Sequence, residues 1–249
     1  MPASTATPTV ALHDVSVAFD RPVLRGVSLD VATGETVAVL GESGTGKSTL
    51  LKLVLGLLAP DRGDVRVAGR SVPAMTQGEK LALRRGIGTV FQGAALFDSL
   101  TVFENVAFAL REHLALAEDD LATRVHEALT VVDLEPARVA SLLPAQLSGG
   151  MRKRVGIARA VAPRPALLLY DEPMAGLDPL TTNTIVDLIA RLQRELRVTS
   201  LVVSHDVRAM LRVADRLALL HDGEFAFVGD ADAMRASVEP YTRDFLAAA

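Results

Sequence analysis

The sequence predicts an α/β fold interrupted by a helical insertion. Apolar runs of strand length alternate with stretches of helical periodicity along most of the chain. A glycine-rich turn ending in Lys-Ser lies between one such run and a helix. From residue 93 to 162 the pattern is mostly helical and contains no convincing strand. Together these point to a layered α/β core with a helical block set into it.

The elements follow in order. "ETVAVL" (35–40) is a strand that leads into the glycine-rich turn. "STLLKLVLGLL" (48–58) is apolar nearly all round and reads as a deeply buried helix. "GDVRVAG" (63–69) alternates with period two, as a half-exposed strand does, and "IGTVFQ" (87–92) is a further strand. Within the insertion, "REHLALAEDDLATRVHEAL" (111–129) carries charges on amphipathic spacing. Then come the strand "ALLLY" (166–170), a helix near 180–196, the strand "TSLVVS" (199–204) and another helix. "RLALLHDG" (216–223) and "EFAFVG" (224–229) are the last strands, and 231–249 reads as a helical tail. The division expected within one domain over 1–249 is a core of 8–92 and 163–230, an insertion of 93–162 and a tail of 231–249.

Composition narrows the function. Apolar residues make up 49% of the chain, which suits strands buried on both faces. No apolar run approaches the roughly 18 residues that a membrane-spanning helix needs. The opening "MPASTATPTV" lacks the basic and apolar segments of a secretory signal and reads as a short disordered lead-in. Cysteine is absent, so disulfides and thiolate metal sites are excluded, which suits the cytoplasm. A net charge of −4 and an aromatic content of 4% argue against a nucleic-acid partner.

The chemistry concentrates after strand ends. Gly41-Glu42-Ser43-Gly44-Thr45-Gly46-Lys47-Ser48 fits G-x-x-x-x-G-K-[ST] in the strand-loop-helix context that a phosphate cradle requires. Its amides close around phosphate oxygens, Lys47 reaches the terminal phosphates and the Ser48 hydroxyl ligates Mg²⁺. "ALLLYDEP" places Asp171 to hold Mg²⁺ and Glu172 to polarise an attacking water. "SLVVSHD" ends another strand with His205, suited to donate to a γ-phosphate. Ser48, Glu172 and His205 thus all follow strand C-termini, where open α/β sheets bind ligands. Gln92, at the junction with the insertion, is placed to contact Mg²⁺ or the attacking water. The other histidines show no metal-ligand spacing.

"LSGGMRKR" (147–154) is a second anion site by its chemistry, since Ser-Gly-Gly opens a helix whose N-terminal amides are free. Yet Arg152, Lys153 and Arg154 crowd its first turn, where the helix dipole disfavours cations. Whether they answer nearby phosphates, stay solvated or pair with acidic neighbours is open at this point.

The ordered set of phosphate loop, strand-end Gln, L-S-G-G-x, "YDEP", "GLD" and "SHD" resembles the nucleotide-binding domain of ABC transporters over nearly the whole chain. The resemblance implies a P-loop NTPase (RecA-like) core with a mainly parallel sheet, an N-terminal antiparallel β subdomain and an inserted α-helical subdomain. It implies ATP and Mg²⁺ as cofactors, with ATP bound along Gly41–Thr49. It implies a head-to-tail dimer in which Ser148, Gly149 and Gly150 contact the partner's ATP and Asp178 bridges the two sites. Phe19 aligns with the aromatic that stacks on adenine, the other reading being a core phenylalanine.

Met151 stands where the signature usually has Gln. With "VPAMT" (72–76), 91–113 and "YDEPMAGLDP" (170–179), it makes the chain similar to the ATPases of Mla/MCE-type lipid transport systems. That likeness implies integral permease subunits, an MCE-domain protein, in some systems a STAS-domain subunit, and a place on the inner face of the cell membrane. The apolar "AALF" (94–97) is the expected permease-docking segment. An importer of an amino acid or a metal is the competing reading. A GTPase is disfavoured by the lack of N-K-x-D, and a soluble two-cassette protein by the single set of motifs.

Overall fold

The computed structural model describes residues 7–248, so the start of the expected lead-in, residues 1–6, lies outside the described residues. β1 (Val10–Ala18) and β2 (Pro22–Val31) form a hairpin, and β3 (Thr36–Leu40) runs into the glycine-rich loop and α1 (Lys47–Val54). β4 (Arg62–Val67), β5 (Arg70–Ser71), α2 (Gln77–Arg85) and β6 (Ile87–Val90) follow. The insertion holds α3 (Val102–His113), α4 (Glu118–Val131), α5 (Pro136–Val139) and α6 (Gly149–Val161). The chain returns through β7 (Leu167–Asp171), α7 (Pro179–Leu196), β8 (Thr199–Ser204), α8 (Val207–Val213), β9 (Arg216–His221) and β10 (Glu224–Gly229). It ends in α9 (Ala231–Arg235) and α10 (Pro240–Ala247).

A six-stranded sheet has the order β10-β9-β3-β8-β7-β6, parallel except where β10 runs back along β9. A four-stranded antiparallel sheet has the order β2-β1-β4-β5. The continuous apolar runs of β3, β7 and β8 reflect burial on both faces. Their side chains alternate between two cores. Val37, Val39, Leu169, Leu201 and Val203 pack toward α1 and the antiparallel sheet. Ala38, Leu40, Leu168, Tyr170 and Val202 pack toward the insertion, α7 and α8. The parallel sheet is therefore the wall shared by the two other layers.

The structure differs from the sequence reading in several places. The helix expected over 48–58 stops at Val54, because Gly56 adopts a left-handed φ of +63° and ends it. β2 was not anticipated: the left-handed Gly26 and the register shifts against β1 break the alternation of Leu24, Val27 and Leu29. α2 was not anticipated either, since none of its residues is buried to leave an apolar pattern. The tail is two helices, parted by a break over 236–239.

Candidate active site

The phosphate loop is shaped by two glycines. Gly41 has a φ of +154°, and a Cβ there would lie 2.6 Å from the Leu220 carbonyl oxygen. Gly46 has a φ of +104°, and its Cβ would lie 2.7 Å from Val23 Cγ1. Glu42, Ser43, Gly44 and Ser48 face solvent, while Thr45, Gly46 and Thr49 are half-buried. Thr45 Oγ1 donates to the Glu42 carbonyl at 2.9 Å. Lys47 is buried, and its Nζ donates to the carbonyls of Gly41 (2.7 Å) and Glu42 (2.8 Å). Burial pushes its ammonium below the ordinary lysine value, and the nearby Glu172 carboxylate opposes that push.

The ends of β7 and β8 complete the cluster. Ser48 Oγ donates to Asp171 Oδ1 at 2.9 Å. Glu172 Oε1 lies 3.6 Å from Lys47 Nζ, and Oε2 lies 2.8 Å from His205 Nδ1. The His205 amide donates to that same Oε2 at 3.3 Å. Glu172 has a φ of +46°, a left-handed conformation uncommon for a residue with a side chain. Its amide is held by the Val203 carbonyl at 2.9 Å. Lys47, Ser48, Asp171, Glu172 and His205 are thus one contiguous constellation at the carboxyl ends of the parallel strands.

The other expected residues flank it. Gln92 lies two residues beyond β6 with its side chain exposed. Phe19, in the β1–β2 turn, is 62% exposed and is not a core residue. The same hairpin brings Val23 and Leu24 against Gly46, which places that turn beside the phosphate loop. Ser148 caps α6, its Oγ accepting the Met151 amide at 3.2 Å. The amides of Gly149 and Gly150 open that helix and have no earlier turn to bond to. A Cβ on Gly150 would meet Thr181 Cγ2 at 2.5 Å, whereas one on Gly149 would meet nothing nearer than 3.7 Å. Asp178 caps α7, accepting the Leu180 and Thr181 amides and the Thr181 hydroxyl. That hydroxyl and those amides hold its carboxyl below the usual carboxylate range. No hydrogen bond or ion pair among the described residues joins Ser148–Gly150 to Gly41–Thr49.

The basic first turn of α6 now has an explanation. Arg152 donates to the Leu147 carbonyl at 2.7 Å, Lys153 to the Gln92 carbonyl, and Arg154 to the Asp133 carbonyl at 2.9 Å. These partners are backbone oxygens of the chain itself. The sequence reading missed Lys153 and Arg159 as site-shaping residues. It also missed Asn105, an amide in the apolar stripe of α3 and fully buried. Asn105 accepts the Phe97 amide and donates to the carbonyls of Phe97, Leu100 and Thr101. A polar residue on a buried helical stripe is the signal that would have found it.

Comparison with known proteins agrees with this geometry. Residues 24–175 match the ABC transporter family model. The chain belongs to the ABC transporter family. It is an ATPase of the α/β P-loop type. It is 41% identical to the intermembrane phospholipid transport system ATP-binding protein MlaF of Escherichia coli K12 over 238 residues, covering 95% of this chain and 88% of that protein. It is 46% identical to the methionine import ATP-binding protein MetN of Thermobifida fusca over 222 residues, covering 88% of this chain and 68% of that protein. Among solved structures it is similar to the ATP-binding cassette MJ0796 in a dimeric, post-hydrolysis state bound to ADP and Pi. The TM-score is 0.80 at 34% identity, over 89% of this chain and 98% of that one.

Proposed function

We propose that this chain is the ATP-hydrolysing subunit of a transporter that moves phospholipid or another lipid between envelope membranes. The observation that carries the reading is its similarity over 95% of its length to a phospholipid transport ATPase. Met151 in the signature supports it: the side chain packs half-buried against the larger core, where a glutamine amide would have to find partners.

Each site residue has a role in that reading. The amides of Gly41–Thr49 and Lys47 bind the ATP phosphates, and Phe19 stacks on the adenine. Ser48 and Asp171 present hard oxygens 2.9 Å apart, a fit for Mg²⁺ shared with nucleotide phosphates. Bound Mg²⁺ supplies charge neutralisation at the phosphates. Glu172, fixed between Lys47 and His205, orients and polarises the attacking water, with Gln92 at its edge. His205 donates toward the terminal phosphate. A second copy of the chain offers its Ser148–Gly150 amides to the same nucleotide, and Asp178 stands at that boundary.

Permease docking falls on an apolar patch beside Gln92. Phe97 is 43% exposed with its ring 4.8 Å from that of Phe108, and Phe91 is exposed nearby. Within "AALF", Ala94 is buried and Leu96 packs on the core, so Phe97 is the docking side chain. Among the described residues no helix is long and apolar enough to cross a membrane. In this reading the chain sits on the cytoplasmic face of the inner membrane through the permease, as the likeness to a phospholipid transport ATPase suggests. An MCE-domain protein and, in some assemblies, a STAS-domain subunit complete the complex.

The 46% identity to a methionine import ATPase supports a second reading, an amino-acid importer. Affinity purification of this subunit from native membranes in mild detergent separates the two. Co-purification of a permease, an MCE-domain protein and phospholipid is the expected result. A permease with a solute-binding protein and no MCE-domain partner would overturn the lipid assignment.

A further inference from the structure

Lys153 is one of the three cations near the start of α6 that the helix dipole disfavours, and it is only 6% exposed. Burial pushes its ammonium below the ordinary lysine range. A cation in that position needs strong partners. Its Nζ donates to the Gln92 carbonyl and, at 3.5 Å, to the Glu172 carbonyl. These two residues sit 61 and 19 positions away in the chain, past the ends of β6 and β7. They are also the two side chains that face the attacking water in the proposed mechanism.

The contact belongs to a larger clasp. Further along α6, the Arg159 guanidinium donates to the Ala94 and Ala95 carbonyls at 2.7 and 2.6 Å. Both alanines are left-handed, with φ of +61° and +47°. Between the two cations, Gly156 lets Ala94 approach, for a Cβ on it would lie 3.2 Å from Ala94 Cβ. The segment from Gln92 to Ala95 is therefore held along its length by one helix, the helix that Ser148 caps. At its far side the same Lys153 holds the carbonyl of Glu172, a residue already in a left-handed conformation.

We infer that Lys153 is a positioning residue that ties the signature end of α6 to the hydrolytic centre of its own subunit by holding the carbonyls of Gln92 and Glu172. The inference rests on the reading that Ser148–Gly150 receive the nucleotide of a second copy. Docking of that nucleotide then bears on α6 two turns' breadth or less from Lys153, and Lys153 passes the displacement to the two residues that place the water. Binding at one subunit's signature is in this way registered at the hydrolytic centre of the same subunit.

The test measures ATP hydrolysis by the purified full chain as wild type, Lys153→Met and Lys153→Arg. It also measures ATP-dependent dimer formation by light scattering for Glu172→Gln and for Glu172→Gln combined with Lys153→Met. Lys153→Met is expected to lower kcat about tenfold or more with KM changed less than about threefold, the pattern of an interaction that matters in the transition state. Lys153→Arg keeps the charge and the donors and is expected to retain most of kcat. The double variant is expected to dimerise as Glu172→Gln does, which also shows that methionine at 153 leaves the fold intact. Wild-type kcat in Lys153→Met would overturn the inference. So would an arginine variant as slow as the methionine one, or loss of dimerisation in the double variant. If Glu172→Gln alone stays monomeric in saturating Mg-ATP, the two-cassette reading fails and this inference falls with it.

Discussion

Asn105→Ala removes the side chain that pins the backbone of Phe97 and Leu100 to α3. Asn105 is fully buried, so no water replaces its amide. Its Oδ1 accepts the Phe97 amide at 2.8 Å, and its Nδ2 reaches the carbonyls of Phe97, Leu100 and Thr101 at 3.0 to 3.1 Å. Two of those carbonyls keep other donors, Phe97 from the Leu100 amide and Thr101 from the Asn105 amide. The groups that lose their partner are therefore the Phe97 amide and the Leu100 carbonyl. Leaving a buried polar group unpaired costs about 1–3 kcal/mol, so two of them, partly relieved at the surface, cost roughly 2–4 kcal/mol. For a chain of this size that corresponds to a fall in Tm of roughly 5–15 °C. Calorimetry of the purified variant, with urea unfolding as a second probe, measures it. A loss below about 1 kcal/mol would refute the reasoning, because the loop would then hold itself without Asn105.

Other consequences follow from the same geometry. Glu172→Gln keeps the shape of the side chain but loses its basicity, and steady-state ATP turnover should fall about 10²- to 10⁴-fold; an unchanged rate would remove Glu172 from its role. Phe19→Ala should leave thermal stability unchanged, as the ring is 62% exposed. It should weaken ATP binding by about 1–3 kcal/mol, roughly 5- to 150-fold in Kd, while Phe19→Trp restores it. Equal nucleotide affinity in the alanine variant would place adenine elsewhere. Phe97→Asp should preserve ATP binding and abolish co-purification of the permease, and a permease retained at wild-type yield would move the docking surface.

What the sequence makes legible depends on how locally each feature is encoded. β3 and β7 are apolar at all but one position each and β8 has a continuous apolar centre, because both faces are covered, so their identity survives without knowledge of the rest. The constellation of Lys47, Ser48, Asp171, Glu172 and His205 was readable for a related reason. Asp171 ends β7, Glu172 and His205 directly follow β7 and β8, and Lys47 and Ser48 open the helix that the loop after β3 leads into; parallel strands bring those ends together. β2 was hidden by the left-handed Gly26 and the shifted register beside it. α2 was hidden by its exposure, and only the reciprocal Thr76–Glu79 cap marks its start. Phe19 could not be assigned to core or surface from its neighbours alone, because that depends on which hairpin it turns. Lys153 was visible as an oddity, a cation at the wrong end of a helix. Its carbonyl partner lies 61 residues earlier, and no local pattern encodes such a contact.

The most direct test of the central claim is lipid movement itself. The subunit would be purified with its native membrane partners and reconstituted between donor and acceptor vesicles carrying fluorescent phospholipid. Transfer would be followed with Mg-ATP, without it, and with Glu172→Gln in place of the wild type. The account predicts transfer that requires Mg-ATP and is lost in the variant. ATP hydrolysis that drives uptake of methionine, with phospholipid left in place, would contradict it.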